Sequence, residues 1–211
     1  MSYDVLGRLP DPTTIPAGPG FISLAITDNS PGMVHPLNDG GSVGVKFEGN
    51  YWTVTLGYPK LTPAESIQIH AFLESLGGPF TNFYVELPTL NSLANGNLPS
   101  EPLAANVSQV GVNSNQLKIV GITDNTFSVG DPIKLTNHPK IYKIVNKEID
   151  GSASILTLNC SILSPTTIAT ASLEIGNILM RVRLTSSFKA PTLNSDGLYE
   201  GFSVSLRENI K

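Results

Sequence analysis

The side chains that could do acid–base, nucleophilic or metal chemistry are few and scattered. His35, His70 and His138 each stand alone, whereas a metal site brings ligands together at short spacings. His70 falls on the polar side of a helical pattern and His138 in the turn TNHPK, so the histidines are expected to be solvated. Cys160 is the only cysteine, closing the strand-like run ILTLNC, so no intrachain disulfide can form. No histidine lies near it in sequence, and it reads as a packed thiol rather than a nucleophile. A hydrolytic triad usually shows a local signature such as GxSxG, and none occurs. Asp124, Asp131 and Asp150 sit in turn sequences, where aspartate caps its own backbone. GGSVGVK lacks the GxxxxGK[ST] spacing and precedes a strand rather than a helix, so it is not a phosphate loop. The expectation is a protein that is not an enzyme, with no catalytic, cofactor-binding or metal-ligating residues and no cofactor.

The elements that would have to position any site are mostly strands. The chain has 211 residues, of which only 14% are charged, while 19 glycines and 16 prolines supply turns. An apolar content of 40% with a net charge of −4 argues against disorder. With pI about 5.3 and no Lys/Arg run, sequence-specific nucleic-acid binding is not expected. No apolar stretch approaches the length of a membrane span and the N-terminus lacks a signal-peptide layout, so membrane insertion is not expected and synthesis in a cytoplasm is.

One helix stands out in LTPAESIQIHAFLESLGGPF. Thr62 is a good N-cap, Pro63 suits the first helical position, and Glu65 completes a capping box. Ile69, Phe72, Leu73 and Leu76 form an apolar stripe bordered by Ile67 and Ala71, and Gly77, Gly78 and Pro79 end the helix. Before it, Val43, Val45 and Phe47 alternate, EGN turns, and Trp52, Val54, Leu56 and Tyr58 alternate again, which predicts a β-hairpin with one buried face. After it, Phe83, Val85 and Leu87 alternate. Residues 1–40 read as an extended arm with one strand, FISLAI, and residues 91–101 as a linker. QLKIVG, FSVGDPIKL, KIYKIVNKE and SILTLN are short strands with tight corners, the pattern of a little barrel. From Gly176 the first pattern returns, with Ile178, Met180, Val182 and Leu184, then Phe202, Val204 and Leu206, facing one way. The expected division is an arm at 1–40, a first part of a β domain at 41–99, an inserted barrel at 100–175 and closing strands at 176–211.

The unit YWTVTLGYPKLTPAESIQIHAFLESLGGPFTNFYVELP resembles bacteriophage tail proteins of the distal tail or baseplate-hub type. VGDPIKLTNHPKIYKIVNKEIDGSASILTLN is similar to the small barrel inserted in many of them, and MRVRLTSSFKAPTLNSDGLYEGFSVSLREN to their closing strand pair. The resemblance implies a mainly β fold, a tail-tube-like β-sandwich with one amphipathic helix over about 62–76 and an inserted small β-barrel. It also implies a structural virion protein made in the host cytoplasm. Such a protein would form a homo-oligomeric ring, a hexamer, between the tail tube above and hub, fibre or receptor-binding parts below. A carbohydrate-binding or adhesion β-sandwich is the alternative. It would need aromatics clustered on an exposed face, and Trp52, Phe83 and Tyr84 lie in strand patterns that look buried.

Overall fold

The computed structural model describes residues 5–10, 18–46, 49–91, 106–109, 115–120, 126–163, 172–176 and 178–210. In chain order these form β1 (Val5–Arg8), β2 (Ser23–Asn29), β3 (Gly32–Pro36), β4 (Ser42–Lys46), β5 (Tyr51–Tyr58), α1 (Pro63–Ser75) and β6 (Asn82–Glu86). There follow β7 (Asn106–Gln109), β8 (Gln116–Val120), β9 (Pro132–Leu135), β10 (Ile141–Asp150), β11 (Ala153–Leu158), β12 (Leu173–Glu174), β13 (Leu179–Leu184) and β14 (Phe202–Glu208). The described residues are mainly β, with one α-helix. A six-stranded sheet has the order β1-β6-β13-β14-β5-β2, and a second, nearly closed barrel-like sheet has the order β12-β9-β10-β11-β8-β7. The chain leaves the first sheet after β6 and re-enters it at β13, so all strands of the second come from the intervening stretch.

Alternation decides which side chains of the six-stranded sheet point inward. Val54 lies opposite Leu206 and Ile26, Leu56 opposite Val204 and Leu24, and Val182 opposite Phe83. These side chains share one face, and most of them are fully buried. Two bodies cover that face. At one end α1 lays down Ile69, Leu73 and Leu76, all in the same apolar cluster as the sheet. At the other, Ile141 from the start of β10 joins that cluster, while the rest of the barrel packs around its own core of Leu117, Ile119, Ile133, Tyr142 and Leu156.

The helix termini follow the local chemistry. The Thr62 side chain accepts from the Glu65 N–H, and Glu65 returns a carboxylate to the Thr62 N–H at 2.9 Å. Gly77 and Gly78 take φ of 63° and 101°, conformations that side-chain-bearing residues rarely adopt.

Three expectations are corrected. The hairpin expected from residues 43–58 does not form: β4 pairs with β3, while β5 pairs with β2 and β14. Phe47 lies outside the described residues. An apolar alternation specifies that a strand has a buried face but not which strand it lies beside. The arm at 1–40 is in part sheet: β1 pairs in parallel with β6, β2 pairs along the whole of β5, and Leu9 is buried in the main core. Finally, the buried line of α1 is Ser66, Ile69, His70, Leu73 and Leu76, with Phe72 half-buried at its edge and Ile67 64% exposed. Residues 61 and 199 bridge, folding the chain before β14 back over the helix flank. His70 therefore packs against Phe188, Tyr199 and Phe202 at ring distances of 5.1 to 5.6 Å. Most of the linker expected at 91–101 lies outside the described residues.

Candidate functional site

The densest polar constellation is the junction between sheet and barrel. The inward positions of β14 run Phe202, Val204, Leu206, Glu208, so the period that builds the core also delivers a carboxylate into it. Lys140, just before β10, meets it: Nζ stands 2.8 Å from Glu208 Oε2, and the two side chains are 1% and 0% exposed. The same oxygen accepts the Trp52 N–H at 3.0 Å, and Oε1 accepts the Ile141 N–H at 2.9 Å. The ammonium also lies 5.7 Å from the centroid of the Trp52 ring. A buried carboxylate is costly unless its lone pairs are occupied, and here three donors occupy them. One donor comes from the sheet and two from the barrel, so the group joins the two bodies. At the sheet edge, Asn159 Nδ2 donates to Asp28 Oδ2 at 3.0 Å, and its own amide oxygen accepts the Lys143 N–H.

Beside this junction opens a cleft of about 600 Å³, with Leu24, Ile26 and Trp52 on the sheet side and Val129, Asp131 and Pro132 on the barrel side. Its chemistry is sparse. Asp131 is 2% exposed and accepts the Ser128 N–H at 2.7 Å, the turn-capping role expected for it. Asp150 pairs with Lys118 at 2.7 Å, and that neighbour holds its carboxyl below the usual aspartate range. Asp124 lies outside the described residues. Among the described residues no three or more His, Cys, Asp and Glu side chains gather as a metal site. No described helix is long and apolar enough to cross a membrane.

The histidines correct the expectation of solvated rings. Only His35 is exposed. His70 and His138 are buried, and His138 Nδ1 lies 3.5 Å from the Tyr142 hydroxyl, which in turn accepts the Leu163 N–H. Burial lowers the His70 pKa against an opposing pull from Glu74, and burial raises that of Tyr142. Cys160 is half-buried against the barrel core, and Trp52 is 5% exposed. The junction residues Lys140 and Glu208 are what sequence reasoning missed. The available signal was a charge at a core-facing register position, Glu208 following Leu206 by two.

A second feature is all surface. The ribbon β3–β4 joins neither sheet. Met33 lies opposite Val45 and His35 opposite Val43, so one face of the ribbon carries three apolar side chains beside His35, and Met33, Val43 and Val45 are about half exposed. A lone two-stranded ribbon is marginal in water, and among the described residues this one pairs with no further strand.

Residues 9–89 match the family described as "Distal tail protein pb9, A domain, N-terminal". Distal tail protein pb9 of Escherichia phage T5 is 35% identical over 214 residues, an alignment covering 96% of this chain and 100% of that protein. A barrel docked through a buried ion pair and a ribbon with exposed apolar side chains are thus features of a chain that belongs to the distal tail protein pb9 family, structural proteins of phage tails.

Proposed function

We propose that the protein forms a closed homo-oligomeric ring, a hexamer, at the distal end of a phage tail, between the tail tube and the hub or fibre parts that reach the host. The observation that carries this reading is the β3–β4 ribbon, whose side chains Met33, Val43 and Val45 are about half exposed. Val34 on the other face is 71% exposed as well, and exposed apolar side chains grouped on one ribbon point to a protein contact. A contact between unlike surfaces of identical chains closes into a ring when the rotation permits. The stretch 100–175, source of every strand of the second sheet, is read as an inserted barrel domain set on the ring body formed by 41–99 and 176–211. Strands β1 and β2 from the first forty residues belong to that body too. Location in the virion follows from the role, with synthesis in the host cytoplasm, and the ring acts mechanically, without catalysis. The adhesion alternative loses support from the burial of Trp52 and Phe83, whereas Tyr84, also expected to be buried, is half-buried on the outward face.

The test is Met33→Ser combined with Val43→Thr and Val45→Thr in the full chain. The triple variant is expected to keep its melting temperature and lose incorporation into tails, scored by electron microscopy and tail-protein mass spectrometry. Normal tails containing the variant would refute the ribbon contact. One copy per tail would refute the ring.

A further inference from the structure

The strands of the six-stranded sheet contain all four arginines of the chain and none of its nine lysines. Three of these arginines stand together on the outward face. Arg183 on β13 lies directly opposite Arg207 on β14, and Arg181 is two residues along β13 on the same side. Like charges directly opposite across a ladder oppose the pairing of the strands. No acid of the described chain relieves them: Arg8 approaches Glu86 at 4.0 Å, but Arg181, Arg183 and Arg207 make no ion pair among the described residues. The Nε of Arg181 is buried without a hydrogen-bond partner. The Arg207 guanidinium lies 3.7 Å from the centroid of the Tyr51 ring, which orders that side chain against the sheet. Around the arginines the face is hydroxyl-rich, with Thr53, Thr55, Ser203 and Ser205 in register.

We propose that this outward face docks on the acidic surface of a second copy of the chain, through carboxylates held by Arg181, Arg183 and Arg207. The proposal rests on the ring reading and names the surface that closes it. Guanidinium, unlike ammonium, offers a planar fork that fits a carboxylate with two parallel hydrogen bonds, which accounts for arginine and not lysine here. Charge chooses the partner. Outside the strands of this sheet the chain carries nine lysines and fourteen acidic residues, so the remainder of a second copy is net negative. The same face cannot meet itself, because Arg183 and Arg207 would then oppose their own copies. The contact is therefore between unlike surfaces, the kind that repeats around a ring. Duplex DNA is the weaker occupant: backbone-binding surfaces rely on lysine and arginine over many phosphates, and this chain is net negative.

The test places a photoreactive side chain at Ser205, an exposed position beside Arg207, in the full chain assembled into tails. The expected product is a cross-linked dimer of this chain whose second peptide carries acidic residues and is not the β14 peptide. In the double variant Arg183→Glu and Arg207→Glu, its yield and tail incorporation are expected to fall at least about tenfold, with Arg183→Lys and Arg207→Lys intermediate. Should the reversal variant fail to fold, the cross-link in the chain with both arginines intact still decides. Cross-linking to another tail protein, to DNA, or between two β14 peptides overturns the proposal while a multi-copy ring stands. One copy per tail overturns both readings.

Discussion

The two faces of the six-stranded sheet are built from alternate residues of the same strands, yet they treat charge in opposite ways. The inward face takes in one carboxylate, Glu208, and satisfies it completely within the chain through Lys140 and the N–H groups of Trp52 and Ile141. The outward face gathers three arginines and supplies no acid for them among the described residues. A buried charge must be paired before the chain is stable, whereas a surface charge can remain solvated until a partner arrives. The inner pair therefore belongs to folding and the outer cluster to assembly, and substitutions on the two faces should fail in different assays.

The sharpest separation is expected from Glu208→Ala. It leaves Lys140 buried without its counter-ion and two N–H groups without an acceptor, for a loss of about 3–5 kcal/mol in denaturant titration. Replacing both partners, as Lys140→Met with Glu208→Leu, should recover much of that loss. If the single and double changes cost the same, the pair is not what makes Glu208 tolerable.

Next comes the helix end of the same face. Leu73 is 1% exposed, and Leu73→Ala should cost about 2–5 kcal/mol. Phe72 is only half-buried, meeting Phe83 edge-on at 5.5 Å between centroids, so Phe72→Ala should cost less than a fully buried phenylalanine would. Equal losses at the two positions would show that the helix lies rolled from the orientation described.

On the outward face the sign reverses. Arg183→Thr relieves the charge opposite Arg207 and adds a β-branched residue, so thermal unfolding of the isolated chain should show a gain of roughly 0.2–1 kcal/mol. A clear loss would mean that Arg183 already has a partner within the chain.

The smallest effect is a pH slope at His70. Burial lowers its pKa below the ordinary 6.5 in the folded chain, while the unfolded chain keeps the ordinary value. Well above pH 6.5 both states are neutral there and the contribution of the site is constant. As pH falls below that value the unfolded state binds the proton first, so stability declines until the folded pKa is passed. His70→Leu should flatten that part of the curve; an unchanged slope would assign it to other groups.

Much of this architecture is legible in the residues themselves. Thr62, Pro63 and Glu65 mark the helix start, and the glycines at 77 and 78 its end, because capping chemistry is local. Inward alternation on β6, β13 and β14 is equally plain, since pleating repeats every two residues whatever lies nearby. Strand partners are not legible. The alternating runs at 43–47 and 51–58 are only three residues apart in sequence, yet β5 takes β2 as its neighbour and β4 takes β3. The exposure of Val43 and Val45 was unreadable for the same reason, because an apolar alternation is identical whether its cover is this chain or another.

What the sequence determined alone was therefore whatever depends on neighbours within a few residues: the caps, the strand periods, the turn aspartate at 131 and the absence of a short-spaced catalytic motif. Tertiary structure decided what depends on distant partners. Glu208 and Lys140 are 68 positions apart and meet only because the barrel returns onto the sheet. His70 is buried only because the chain around Phe188 and Tyr199 folds back across its flank. Arg183 and Arg207 face each other only through the register of β13 on β14. Each of these contacts is set by the packing of whole elements, and a residue's own neighbours in sequence carry no record of it.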